Sequence, residues 1–233
     1  MTQADGTTAR VFLAVQAHPD DVDITSGGAV ARWVAEGHEV HYLSITSGNK
    51  GTHDRSMSPE QLTEIREAEQ MEAARRLGVG SVTFLRRNDG EVESNLRLRR
   101  EICLSIRKVR ANALVTFDPW RPYQMHPDHR ATGITALDAI IAARDHLFFP
   151  EQLRDGIDIS RVHDVYLFGS GEPDTWIDIS DTIERKIYAI AAHVSQNRGS
   201  FEDRAERHRA RAREIGQQHG HTCAEAFKFL HLN

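Results

Sequence analysis

The chain has 233 residues, 39% of them apolar, and a formal charge of −5. That length suits one generous α/β domain (residues 1–233) better than two, and no apolar run nears the roughly 18 residues that cross a bilayer. The negative balance argues against nucleic acid as the main partner, because phosphate binding wants a basic surface.

The polar opening, residues 1–9, is expected to fray. No charged segment followed by an apolar core stands there, so no signal peptide is expected. Val11 to Val15 reads as a buried strand, and Ala29 to Glu36 as a helix stopped by Gly37. His38 to Thr46 is a second strand, followed by the loop Ser47 to Gly51. The spacing predicts a helix over 59–77: Ser58 and Gln61 form a capping box, Pro59 suits the first helical position, and Gly78 closes the end. Ser81 to Leu85 is a strand, and Leu98, Ile102, Ile106 and Val109 mark a helix. Ala113 to Phe117 is a strand, and Ile134, Leu137, Ile140 and Ile141 define the next helix. Val165 to Phe168 and Trp176 to Ile179 are strand-like, and a capped helix runs from Asp181 through Val194.

Strands alternating with helices, without hairpin signals, predict a mostly parallel sheet covered by helices on both faces. Arginines crowd 97–110 and 204–213, where they read as solvated helix faces. The two cysteines, Cys103 and Cys223, lie far apart, so a disulfide framework is not implied and a reducing cytoplasm fits better.

In such a sheet, ligands bind beyond the carboxyl ends of the strands. After the first strand comes Ala17-His18-Pro19-Asp20-Asp21, and after the Ala113 to Phe117 strand comes His126-Pro127-Asp128-His129. Each element places imidazole and carboxylate in a tight turn. Two His and one Asp make a three-ligand set that leaves a position open for water, the pattern of a catalytic zinc. Of Asp20 and Asp21, one can ligate while the other takes a proton from the water. The spare imidazole of the second element, as a cation, can steady an oxyanion or protonate the leaving nitrogen. A single His-Pro-Asp is more often an ordinary loop turn, but two of them after strands are hard to explain that way.

These segments, with Gly27-Gly28, Arg66 and Glu69 before Ala-Ala-x-x-Leu-Gly, Asp89-Gly90 and His193-Val-Ser-Gln196, resemble the GlcNAc-PI de-N-acetylase (PIG-L, LmbE-like) family over residues 10 to 230 or so. The resemblance implies a Rossmann-like fold and hydrolysis of an N-acyl group, commonly acetate from an amino sugar. It assigns His18, Asp21 and His129 as zinc ligands, Asp20 as general base and His126 as the histidine that steadies the charged intermediate. Arg66 and Asp89 match positions that grip substrate hydroxyls, and His193 matches a C-terminal family histidine. Two His and one carboxylate also suit iron(II), but a hydrolytic role favours zinc. The implied partner is a small N-acylated molecule, and a homo-oligomer is left open.

Val22 replaces the family's usual acidic residue, with Asp23 next, and the loop that often reads Gly-Glu is Gly48-Asn49-Lys50. The loop change keeps open the same chemistry on another C–N bond, as in a thiol-conjugate amidase or a tailoring enzyme of specialised metabolism. A nucleotide-binding module and a non-catalytic zinc protein are further rivals, separated by metal content and by turnover. Gly27-Gly28 suits either a phosphate cradle or helix–strand packing. The remaining histidines read as surface or packing residues, and Ser26, Ser44 and Ser47 lie in no nucleophile elbow.

Overall fold

The computed structural model describes residues 9–197 and 199–233. The strands are β1 (Val11–Gln16), β2 (Glu39–Thr46), β3 (Ser81–Arg87), β4 (Ala113–Phe117), β5 (Asp164–Phe168), β6 (Thr175–Asp178) and β7 (Ala224–His231). The helices are α1 (Asp21–Ala35), α2 (Pro59–Leu77), α3 (Leu96–Val109), α4 (Pro127–Arg144), α5 (Ile183–Ile190) and α6 (Phe201–Gln218). One sheet runs β3-β2-β1-β4-β5-β7-β6. Its first five strands are parallel, whereas β7 lies antiparallel between β5 and β6. The expected mostly parallel α/β architecture is therefore present, with one antiparallel addition. The expected fraying falls on residues 1–8, which lie outside the described residues.

Period-2 alternation divides the core. Phe12, Ala14, Tyr42, Val115 and Phe168 face α1, α2 and α5, while Leu13, Val15, Leu43, Leu114 and Val165 face α3 and α4. Stacking of Phe12 on Trp33, with ring centroids 4.3 Å apart, seats α1 on the first face. No described helix is long and apolar enough to cross a membrane.

Helix α2 follows its sequence signals: Ser58 Oγ accepts from Gln61 N, Gln61 Oε1 accepts from Ser58 N, and Gly78 closes the helix at φ 84°. Two helices begin earlier than their apolar spacing suggests. α1 starts at Asp21 rather than Ala29, and α4 at Pro127 rather than Ile134. In each case the first turns carry polar residues of the site instead of an apolar stripe. α5 stops at Ile190, and Thr182 at its N-cap makes no side-chain capping bond, so the capped run to Val194 is not formed. The sequence reading placed no element at β7, and its arginine-rich helix face at 204–213 belongs to α6.

One arginine of that reading is not solvated. Arg107 is 1% exposed, and its guanidinium donates to the carbonyls of Ala142, Ala143, Asp145, Phe148 and Phe149 and to Gln152 Oε1. It thereby satisfies the open carbonyls where α4 ends.

Gly27-Gly28 lies inside α1, not before it. Gly28 N and Ala29 N donate to the two carboxylate oxygens of Glu225 on β7, at 3.0 and 2.7 Å. Lys186 Nζ of α5 also donates to Glu225, at 2.6 Å, forming a buried ion pair. The cradle thus holds a carboxylate from the chain itself, and a phosphate is excluded. A side chain on Gly28 would meet Ile179, so the packing reading is the one that stands.

Candidate active site

The first motif forms the turn between β1 and α1. His18 N donates to Asp21 Oδ2 at 2.8 Å, and Asp20 occupies the N-cap position of α1 with φ 94°. A left-handed backbone at a non-glycine residue costs about 1–3 kcal/mol and persists only where its surroundings enforce it. The second motif follows β4 and opens α4, with Pro127 in the first helical position. Because β1 and β4 are neighbouring parallel strands, both turns emerge at the same edge of the sheet.

Three side chains converge there. His18 Nδ1 lies 3.3 Å from His129 Nε2 and 3.4 Å from Asp21 Oδ2, and His129 Nε2 lies 3.4 Å from Asp21 Oδ1. Ligands held about 2.0–2.2 Å from a tetrahedral ion lie about 3.4 Å from one another, so this donor set fits a metal. His18, His126 and His129 also form a compact group, with ligand atoms within 4.8 Å of one another. The His126 ring stacks on His129 at 4.6 Å, and His129 stacks on Phe117 at 4.2 Å. His126 Nδ1 is buried without a hydrogen-bond partner.

The other nitrogen of His18 is held as well. His18 Nε2 lies 3.1 Å from Asp128 Oδ2 and 3.2 Å from Asp89 Oδ1. Asp128 is fully buried and accepts from Gly90 N and Val92 N, tying the β3 loop to the motif. Sequence reasoning gave Asp128 no role, although it stands inside His126-Pro127-Asp128-His129. Its partner His18 is 110 residues away, which no local pattern reports.

The electrostatics suit a cation. Burial opposes charge on His18, but the carboxylates of Asp128, Asp21 and Asp89 outweigh it and push its pKa up to about 12. Burial also works against ionised Asp21, yet its bonds to His129 and His18 hold it well below the usual carboxylate range. Asp20 behaves oppositely: burial and the charge of Asp21 lift it to about 6, against the pull of Arg66, His193 and His18. His126 is lowered by burial and then by the neighbouring His18 and His129. Two adjacent aspartates thus sit at opposite ends of the carboxylate range, a separation that marks different tasks.

The three residues expected to grip substrate are placed differently from one another. Asp89 lies at the site against His18, its backbone N–H donating to Asn49 Oδ1. Arg66 is 4% exposed and spends its guanidinium on the protein, donating to Gly48 O at 3.1 Å and Pro19 O at 2.6 Å, with Nη2 3.6 Å from Asp20 Oδ2. Gly48, at φ 64°, leaves room for it, because a side chain there would collide with the guanidinium. His193 is fully buried, with Nε2 2.8 Å from Asp23 Oδ2 and Nδ1 without a partner.

Residues 13–140 match the model of the family described as GlcNAc-PI de-N-acetylase. Diacetylchitobiose deacetylase of Thermococcus kodakarensis is 33% identical, over 94% of this chain and 82% of its own. A 1D-myo-inositol 2-acetamido-2-deoxy-alpha-D-glucopyranoside deacetylase of Rhodococcus opacus is 28% identical, over 80% of this chain and 82% of its own. The solved structure of N,N'-diacetylchitobiose deacetylase from Pyrococcus horikoshii superimposes with a TM-score of 0.89 at 32% identity, covering 95% of this chain and 84% of that one. This chain belongs to the GlcNAc-PI de-N-acetylase (PIG-L) family.

Proposed function

We propose that the protein is a zinc-dependent hydrolase that removes an N-acyl group, acetyl above all, from an amino sugar or a conjugate of one. The observation that carries the reading is the convergence of His18 Nδ1, Asp21 and His129 Nε2 beside a second, protonatable aspartate, Asp20. His18, Asp21 and His129 would hold the metal. The relatives are deacetylases of N-acetylated sugars by name, and the shared family brings that substrate class to this chain as the first to test. Zinc is preferred to iron(II) because the reaction is hydrolytic.

Bound zinc lowers the pKa of water to about 7 and polarises a carbonyl oxygen. Asp20, with a pKa near the operating pH, takes the proton of the attacking water as oxygen adds to the acyl carbon. That proton passes to the nitrogen as the C–N bond breaks, leaving a carboxylic acid, which keeps the water's other proton, and an amine. His126, its ring stacked on His129 beside the converging ligand atoms, would steady the oxygen that gains charge. Asp89 is at hand for a substrate hydroxyl, whereas the buried bonds of Arg66 favour a role in shaping the loop and the Asp20 turn.

A second reading, the same chemistry on another non-peptide C–N bond, is favoured by the 48–51 loop. There Asn49 braces Asp89, and Lys50 is paired with Glu91. We further read the chain as one domain on one sheet, and its two buried free thiols as fitting a reducing cytoplasm.

Elemental analysis of the wild type beside His129→Ala tests the metal centre, with about one zinc per chain expected only in the former. Acetate release from N,N'-diacetylchitobiose and N-acetylglucosamine tests the substrate class. Absence of metal after zinc reconstitution would sink the mechanism. Turnover confined to non-sugar amides would leave the second reading.

A further inference from the structure

An aspartate at a helix N-cap ordinarily turns its carboxylate onto the open backbone N–H groups of the first turn. Asp20 occupies that position on α1 and makes no such bond. Two glutamines from other elements hold the start of the helix, one taking a first-turn N–H and the other the N–H of Asp20 itself. Gln16, the last residue of β1, accepts from Val22 N through Oε1 at 3.1 Å. Gln70, on the face of α2 one turn after Arg66, accepts from Asp20 N through Oε1 at 2.8 Å.

The two side chains are also bonded to each other and to a buried anchor. Gln16 Nε2 donates to Gln70 Oε1 at 2.8 Å, and Gln70 Nε2 donates to Asp23 Oδ2 at 2.8 Å. Asp23 accepts further from Tyr42 Oη at 3.0 Å and from His193 Nε2. Gln16, Gln70, Asp23 and His193 are all fully buried. Their orientations are forced: backbone N–H groups only donate, and each Oε1 faces one, so neither amide can be flipped without opposing like groups. Bonded side chains buried in a low-dielectric interior rigidify the geometry they share, and this network, in which both glutamines and Asp23 are bonded while His193 Nδ1 lacks a partner, meets the backbone at the left-handed Asp20.

We infer that Gln16 and Gln70 are positioning residues that cap α1 in place of Asp20, keeping its carboxylate free for the reacting water. The inference rests on the reading of Asp20 as general base. It also gives Asp23 and His193 a place, as the fixed end of the clamp.

The test compares Gln16→Met, Gln70→Met and Asp20→Asn for zinc content, melting temperature, and kcat and KM for acetate release from N,N'-diacetylchitobiose. Removal of either glutamine is expected to lower kcat about 10²-fold, as for a misplaced catalytic group, with KM within about twofold and zinc content unchanged. Gln16→Met leaves the bond to Asp20 N intact, so it serves if Gln70→Met does not fold. A crystal structure of Gln16→Met supplies a readout without turnover, and the Asp20 carboxylate is expected to have rotated onto Val22 N or Asp23 N. An unmoved Asp20, or kcat within twofold of wild type while Asp20→Asn is inactive, overturns the clamp and leaves the general base standing. A fully active Asp20→Asn overturns the general base itself.

Discussion

His18 and Asp128 are joined across the site, with Nε2 3.1 Å from Oδ2. The first His-Pro-Asp element is thereby fastened to the second through the aspartate that lies outside the converging ligand atoms. A ligating histidine is commonly oriented by a carboxylate on its other nitrogen, and Asp128 and Asp89 occupy that place for His18.

Loss of this support should loosen the metal. Asp128→Ala is expected to weaken zinc affinity about 10–100-fold, read by competition with a chromogenic chelator. It also leaves Gly90 N and Val92 N without their acceptor. Unchanged affinity would remove Asp128 from the support of His18.

Asp20 should set the acid side of the pH profile. Its pKa is raised to about 6, and a base works only when deprotonated, so kcat/KM should fall about tenfold per pH unit below that value. In Asp20→Asn the acid limb should vanish and kcat should drop about 10²–10⁴-fold, with zinc retained. Rates across pH 4–8 on the zinc-loaded enzyme decide it, and an identical limb in the variant would assign that limb to another group.

Arg107 should matter to stability and not to chemistry. Its buried guanidinium serves five carbonyls and one amide oxygen, and hydrogen bonds to a charged group contribute about 1.5–3 kcal/mol each at most. Arg107→Met is expected to lower unfolding free energy by about 3 kcal/mol or more in urea titration. A loss below about 1 kcal/mol would mean that the end of α4 finds other donors.

Gly28→Ala pits two effects against each other. Helix propensity favours alanine by about 1 kcal/mol. The added Cβ, however, would lie 2.6 Å from Ile179 Cδ1, and overpacking of that kind costs about 1–3 kcal/mol. Net destabilisation is expected, seen as a lower melting temperature, and a raised one would show that Ile179 can give way.

Much of this was legible in the sequence, for local reasons. Ser58, Pro59, Gln61 and Gly78 mark the ends of α2 because caps are chemistry of neighbouring residues. His18, Asp20, Asp21, His126 and His129 gather because both motifs follow strands of a parallel sheet, whose carboxyl ends share one edge. What stayed hidden depends on distant partners. Of residues 21–26, Asp21 belongs to the site and Asp23 to its buried network while Val22 alone joins the apolar core, so no stripe marks the start of α1. Gln16 and Gln70 look like ordinary polar residues until the fold brings them together across 54 positions. β7 escaped notice because Glu225 and Lys228 break its apolar pattern, one to serve α1 and one to pair with Asp174.

That late strand separates the order of synthesis from the order of assembly. β6 pairs with β7, and β5 also pairs with β7, through a register in which Asp164 meets His231, 67 residues onward. The parallel strands β1 to β5 can associate as they emerge, but β6 has to wait, and so does the midpoint of α1, whose Gly28 and Ala29 are served by Glu225. Until residues 224–231 arrive, β5 presents an open edge, the kind of surface that recruits other chains. A nascent chain stalled short of this point would carry both site motifs and still be a hazard rather than an enzyme.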